Sequence, residues 1–132
     1  MTDTTLCKRE RMVSQRLIDT LFSGSHSMAA FPLRAVYYYK ERAQGSAPAQ
    51  LLVSVPKRHF KHAVDRNRVK RQVREAYRHH KTALYNRLPE GQQLLIAFVW
   101  LSDEHFPTHV VEQRVVSLMN RVAEKAVPVK QP

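Results

Sequence analysis

The residues best suited to chemistry crowd into one stretch: Lys57, Arg58, Lys61, Arg66, Asn67, Arg68, Lys70, Arg71, Arg74 and Arg78. All but Asn67 are cations that donate hydrogen bonds and accept none. An arginine fork fits two phosphate oxygens at once, whereas a lysine is a point charge. Asn67 adds a directional donor and acceptor. Such a set grips a polyanion but has no means of breaking a bond. Residues 54–81 hold ten of the 22 Lys and Arg against only Asp65 and Glu75, and so carry +8 of the net +11. A segment this one-sided repels itself until a partner neutralises it.

Bond-breaking constellations are scarce. The chain has seven histidines, but their spacing assembles no metal or nuclease site. His79 and His80 are adjacent and point about 100° apart on a helix. His59 with His62, and His105 with His109, have ligand-like spacings, yet no cysteine or acid set completes them. They read as surface or RNA-adjacent residues. With three glycines there is no Gly-rich phosphate loop, and no Ser/His/Asp or paired-carboxylate arrangement is visible. Cys7 is the one cysteine and cannot form an internal disulfide or a zinc site by itself.

Periodicity shows which elements must position the cations. Lys8 to Ser23 reads as a helix, with Met12, Val13, Arg16, Leu17, Thr20 and Leu21 at three- and four-residue spacings. Residues 33–40 read as a strand with Leu33, Ala35, Tyr37 and Tyr39 on one face and Arg34, Val36, Tyr38 and Lys40 on the other. Ala29–Phe31 reads as a piece of the same strand, interrupted by Pro32. Arg42–Ala49 is a turn or hairpin loop, and Leu51–Val55 a second strand stopped by Pro56. Asp65 is the expected N-cap of a long helix running to about Asn86. Leu94–Leu101 is a near-continuous apolar run, as in a central buried strand. Pro107 opens a last helix to about Ala126. The order suggests a single α+β or α/β domain over residues 1–132; the fold class expected is α+β, a small and mainly antiparallel sheet of about four strands with helices. Residues 1–7 and 127–132 are expected to be disordered tails.

On a helical wheel started at Arg66, Lys70, Lys81, Arg74, Asn67, Arg78 and Arg71 fall between about 0° and 140°. Ala83, Ala76, Val69, His80, Val73, Leu84 and Tyr77 fall between about 260° and 20°. The long helix therefore has an apolar side for the sheet and a cationic side for a partner. Arg68 lies outside the main arc, where a neighbouring loop can meet it. Glu75 is placed to pair with Arg71 or His79. The apolar side lacks the bulky Trp, Phe and Leu of a membrane-surface helix. No helix-turn-helix partner, zinc-ligand set or heptad accompanies it, which argues against a DNA-reading element.

Composition agrees. At 43% hydrophobic residues the chain can fill a core. No apolar run approaches the roughly 18 residues needed to cross a bilayer. Met1–Thr5 lacks the basic and apolar regions of a signal peptide. These features predict a soluble cytoplasmic domain with a polyanionic partner and no membrane association.

At the cationic stretch the chain resembles a known family. Ser54-Val55-Pro56-Lys57-Arg58-His59-Phe60-Lys61-His62-Ala63-Val64-Asp65, running on through Arg66-Asn67-Arg68-Val69-Lys70-Arg71-Gln72-Val73-Arg74-Glu75-Ala76-Tyr77-Arg78, resembles the signature of the bacterial ribonuclease P protein component. The resemblance implies an α–β sandwich with a left-handed β-α-β crossover around the signature helix. It implies a subunit that binds a catalytic RNA and the 5′ leader of precursor tRNA and assists removal of that leader. The RNA, with bound Mg²⁺, would carry the chemistry, so no catalytic residue and no obligate protein partner is expected here.

Position by position, the resemblance makes Arg66, Asn67, Arg68, Lys70, Arg71 and Arg74 the RNA-facing signature, with Lys57, Arg58, Lys61 and Arg78 extending the patch. It assigns Tyr37 to the leader cleft, with Tyr39 beside it and Ile18 on the first helix. Two positions depart from the family pattern: Ile18 replaces an aromatic, and Leu52 stands where many relatives have Gly. A structured-RNA-binding protein without a processing role, such as a ribosomal protein, is the alternative from the residues alone. A protein-only nuclease using His and Lys is a third.

Overall fold

The computed structural model describes residues 15–23, 26–42 and 47–125. The expected helix start before Gln15, Cys7, loop residues 43–46 and both tails lie outside the described residues. The elements are α1 (Gln15–Ser23), β1 (His26–Ala30), β2 (Leu33–Glu41), β3 (Ala49–Ser54), α2 (Ala63–Arg87), β4 (Gln92–Trp100) and α3 (Thr108–Glu124).

The four strands form one sheet in the order β1-β2-β4-β3. β1–β2 and β2–β4 are antiparallel and β3–β4 is parallel, so the sheet is mainly antiparallel. The parallel pair is possible because α2 carries the chain back between β3 and β4. Residues 29–31 are not a broken piece of β2. Ala30 pairs with Leu33, so Phe31-Pro32 makes a tight reversal, and β1 is a strand of its own at the sheet edge. Pro32 sits at the reversal, where no ladder N–H is needed.

The main core lies between the sheet and the α2–α3 layer. Leu33, Ala35 and Tyr37 from β2, Leu51 and Val53 from β3, and Leu94, Ile96, Phe98 and Trp100 from β4 point into it. They meet Val69, Val73, Ala76, Tyr77 and Leu84 of α2 and Val111, Val115, Leu118 and Val122 of α3. Full burial of one such side chain contributes about 1.5–3 kcal/mol. β4 lies centrally and is covered on both faces, which explains its unbroken apolar run. The opposite face has a smaller cluster of Leu21, Val36, Leu95 and Ala97, with Ile18, Tyr38, Leu52 and Val99 half-buried around it. Among the described elements, only α1 packs there.

Among the described strands, β1 has a neighbour on one side alone. From α3, Arg114 Nε donates to Phe31 O at 3.0 Å and Arg121 Nη1 donates to Ala29 O at 3.0 Å.

Candidate nucleic-acid interface

The signature helix begins earlier than expected. Its cap is His62, and the carbonyl of His62 accepts the N–H groups of Asp65 and Arg66. Asp65 is therefore inside the first turn, where its charge suits the helix dipole. Its Oδ1 accepts a hydrogen bond from His105 Nε2 at 3.1 Å, and the His105 ring stacks on Phe60 with centroids 4.5 Å apart. His59 Nδ1 reaches Asp103 Oδ1 at 2.6 Å. The β3–α2 and β4–α3 connections are thus tied to each other at the start of α2. Sequence spacing could not show these pairs, since each partner lies about forty residues away. The ligand-like spacings His59/His62 and His105/His109 do not become sites; His59 and His105 are each taken up by a carboxylate instead.

Arg66 has a structural task. Its Nη1 donates to the carbonyls of Phe60 at 2.8 Å and Lys61 at 3.1 Å, and the side chain is half-buried. It folds back over the connection that carries Lys57, Arg58 and Lys61, and so fixes where those cations stand. Beyond it, Asn67, Arg68, Arg71 and Arg74 are exposed, and Lys70 is half-exposed. Lys57, Arg58 and Lys61 stand at the surface beside them.

The second half of α2 differs. Arg78 Nη2 donates to Glu75 Oε1 at 2.7 Å, so Glu75 pairs mainly with Arg78 rather than Arg71 or His79. That hydrogen bond holds the Glu75 carboxyl below its ordinary range, and it pushes the Arg78 guanidinium further up. Lys81, placed on the cationic arc by the wheel, is buried, and Ala83, placed on the apolar arc, is exposed. The reason is that α2 is covered on two flanks, by the sheet and by α3, so the buried arc is wider than and shifted from a single-contact stripe. Gln72 and His80 mark the α3 flank: Gln72 bonds Phe106 O and Thr108 Oγ1, and His80 Nε2 meets Glu112 Oε2 at 2.9 Å.

Of the three cleft residues, Tyr37 and Tyr39 come together with ring centroids 6.2 Å apart, and Ile18 does not join them. Tyr37 is 6% exposed and belongs to the core under α2 and α3. Tyr39 is half-buried on the same side, and its hydroxyl donates to Val122 O at 2.8 Å. Burial is the main cause that raises its pKa to about 12. Ile18 lies on the opposite sheet face, where the half-buried tyrosine is Tyr38. Phe22, 46% exposed, is an aromatic on the same helix as Ile18. Strand alternation already put Tyr38 on the other face from Tyr37; what it lacked was which face the two long helices cover.

A basic α+β domain with one helix cationic along its outer side, and with the far sheet face covered only by α1 among the described elements, defines a small protein shaped to seat a nucleic acid. The ribonuclease P family model matches residues 6–122. The chain is 40% identical over 119 residues to the ribonuclease P protein component of Porphyromonas gingivalis, covering 89% of this chain and 86% of that one. It is 33% identical over 128 residues to that of Chlorobium phaeobacteroides, covering 89% and 87%. Among solved structures, the ribonuclease P protein of Thermotoga maritima superposes with a TM-score of 0.64 at 22% identity, over 85% of this chain and 96% of that one. A Staphylococcus aureus ribonuclease P protein mutant with defective mRNA degradation activity gives a TM-score of 0.67 at 18% identity, over 89% and 90%. This chain belongs to the ribonuclease P protein family.

Proposed function

We propose that α2 seats this protein on the catalytic RNA of ribonuclease P, and that the sheet face beside α1 holds the 5′ leader of precursor tRNA. As a member of this family the chain is an accessory subunit of a ribonucleoprotein endoribonuclease that acts in tRNA 5′ processing. The observation that carries the division of labour is the state of the cations. Asn67, Arg68, Lys70 and Arg71 present donors to solvent with no carboxylate bonded to them among the described residues, on a helix whose other side is locked into the core.

The leader site follows from exposure. Tyr38, with Phe22 and Leu52, offers ring and apolar surface at the margin of the small cluster, and exposed aromatics suit splayed single-stranded bases. Tyr37 and Tyr39 support that strand from beneath instead of stacking on bases. Leu52 is half-buried on this face and so narrows the approach that a Gly would leave open.

Among the described residues no group of three or more His, Cys, Asp or Glu could hold a metal ion. We assign the Mg²⁺ to the RNA subunit. No helix among the described residues is long and apolar enough to cross a membrane, and a cytoplasmic site of action without an obligate protein partner completes the proposal.

The test is reconstitution with the cognate RNA and a precursor tRNA. The protein should lower the Mg²⁺ needed for leader removal and should cleave nothing alone. Cleavage of precursor by the purified protein without RNA would overturn the assignment.

A further inference from the structure

Arg114, Arg121 and Lys125 fall within about 40° of one another on the helical wheel of α3 and so form a line along it. That line lies on the flank of α3 that meets β1: Arg114 Nε donates to Phe31 O and Arg121 Nη1 to Ala29 O, each at 3.0 Å. The α2 flank is marked instead by Glu112, which meets His80. Each guanidinium is held by that one N–H and makes no other hydrogen bond or ion pair among the described residues. The two arginines are about 10 Å apart along the helix axis. An anchored fork is pre-organised and loses little freedom when phosphate oxygens meet it.

No carboxylate among the described residues is bonded to this line. β1, His-Ser-Met-Ala-Ala, carries no acid. Glu124 stands about 60° round the helix from Arg121 and pairs with neither arginine. Rings stand at both ends. Phe31, 60% exposed, is edge-on to Phe106 with centroids 6.0 Å apart, and Phe106 is edge-on to Trp100 in turn. At the other end the exposed His26 and Lys125 line one hollow of about 470 Å³.

We propose that this border between α3 and β1 is a second polyanion site, which takes an unpaired RNA strand. Phosphates lie on Arg114, Arg121 and Lys125, and a base lies on the Phe31 ring. Cations alone would fit any polyanion, whereas an exposed ring beside them fits bases that are out of a duplex. The border is separate from the solvent side of α2 and from the sheet face beside α1. Two sources bring the same chemistry: leader nucleotides beyond those on the sheet face, and an unpaired stretch of the RNA subunit.

The experiment has two arms, both read by fluorescence anisotropy over a range of salt. One measures binding of the full chain to the RNA subunit; the other measures binding of the assembled holoenzyme to precursor tRNA with a short and with a long leader. Lys125→Gln, which breaks no side-chain bond among the described residues, should weaken one arm about three- to fivefold and lower its salt slope by about 0.7. Phe31→Ala should weaken the same arm about five- to tenfold with the slope unchanged, and Phe31→Trp should restore it. A loss confined to the long leader assigns the strand to the precursor; a loss with the RNA subunit assigns it to that RNA. Asn120→Asp, on the outer side of α3, removes the same unit of net charge and keeps the acceptor for Arg87, so it should bind as the unaltered chain does. Equal losses from Lys125→Gln and Asn120→Asp would reduce the effect to net charge and overturn the proposal. So would unchanged affinity of Phe31→Ala in both arms. A poly-glutamate peptide that binds the unaltered chain and is lost in Lys125→Gln, with RNA binding intact, would give the border to an acidic protein instead.

Discussion

Tyr37 and Tyr38 are consecutive in the chain and occupy opposite faces of one sheet. Tyr37 lies buried in the face roofed by the two long helices; Tyr38 lies half-buried in the face on which, among the described elements, only α1 packs. One side holds the main core and the other the smaller cluster. The same residue type on adjacent positions therefore has two environments, set by what packs above it and not by its own chemistry.

The sharpest way to break this comparison is a truncation on the closed side. Phe98→Ala should cost about 3–5 kcal/mol by cavity formation, measured by urea denaturation. Val99→Ala, its half-buried neighbour on the open side, should cost about 1 kcal/mol or less. Comparable losses would mean that the two faces are not different in kind.

Tyr38→Ala should weaken binding of leader-bearing precursor relative to mature tRNA by about 1–3 kcal/mol if one base stacks there. Tyr37→Ala should instead lower stability and leave that ratio unchanged. A reversed result would return the leader to the helix-covered side.

Tyr39→Phe should cost about 1 kcal/mol for the missing bond to Val122 O. Tyr39 also gives the closed face a pH signature. Its pKa in the folded protein, about 12, is above the ordinary 10.0 of a tyrosine. The neutral phenol is the form that folding favours, so its contribution is complete below pH 10 and declines as pH rises toward 12. Spectrophotometric titration should show a tyrosine step near pH 12 disappear in Tyr39→Phe.

The smallest effect concerns the cations of α2. Arg74→Ala should reduce the salt slope of partner-RNA binding by about 0.7–0.9 for each phosphate the arginine had neutralised. Glu75→Gln, which frees Arg78 from its carboxylate, should leave that slope the same or steeper. A slope unchanged in Arg74→Ala would remove this side of the helix from the interface.

Much of this architecture is legible in residues alone, for definite reasons. The run Leu94–Leu101 is apolar throughout because the strand is covered on both sides. The signature helix shows its two sides because Val69, Val73, Ala76, Tyr77 and Leu84 keep a helical period. The strand faces at Tyr37–Tyr39 are separable by alternation, but both faces carry large apolar groups, so nothing local says which one the helices cover. Pro32 reads as an interruption because a proline at a tight reversal and one inside a strand look alike without the partner strand. Asp65 reads as a cap because its true partner, His105, arrives from a loop forty residues on. Lys81 and Gln72 are buried by a second flank that a single-helix wheel does not contain. Crossover handedness lies beyond residue patterns altogether, since the general rule favours the right-handed form.

The bonds from Arg114 and Arg121 to the β1 hairpin have a consequence for the protein on its own. A sheet edge with free carbonyls is a template on which a second copy can add a strand. Here guanidinium groups from α3 occupy the Ala29 carbonyl of that edge and the Phe31 carbonyl of the turn beside it, and place positive charge along the seam. A second copy adding a strand there would have to displace the Arg121 bond and meet like charge.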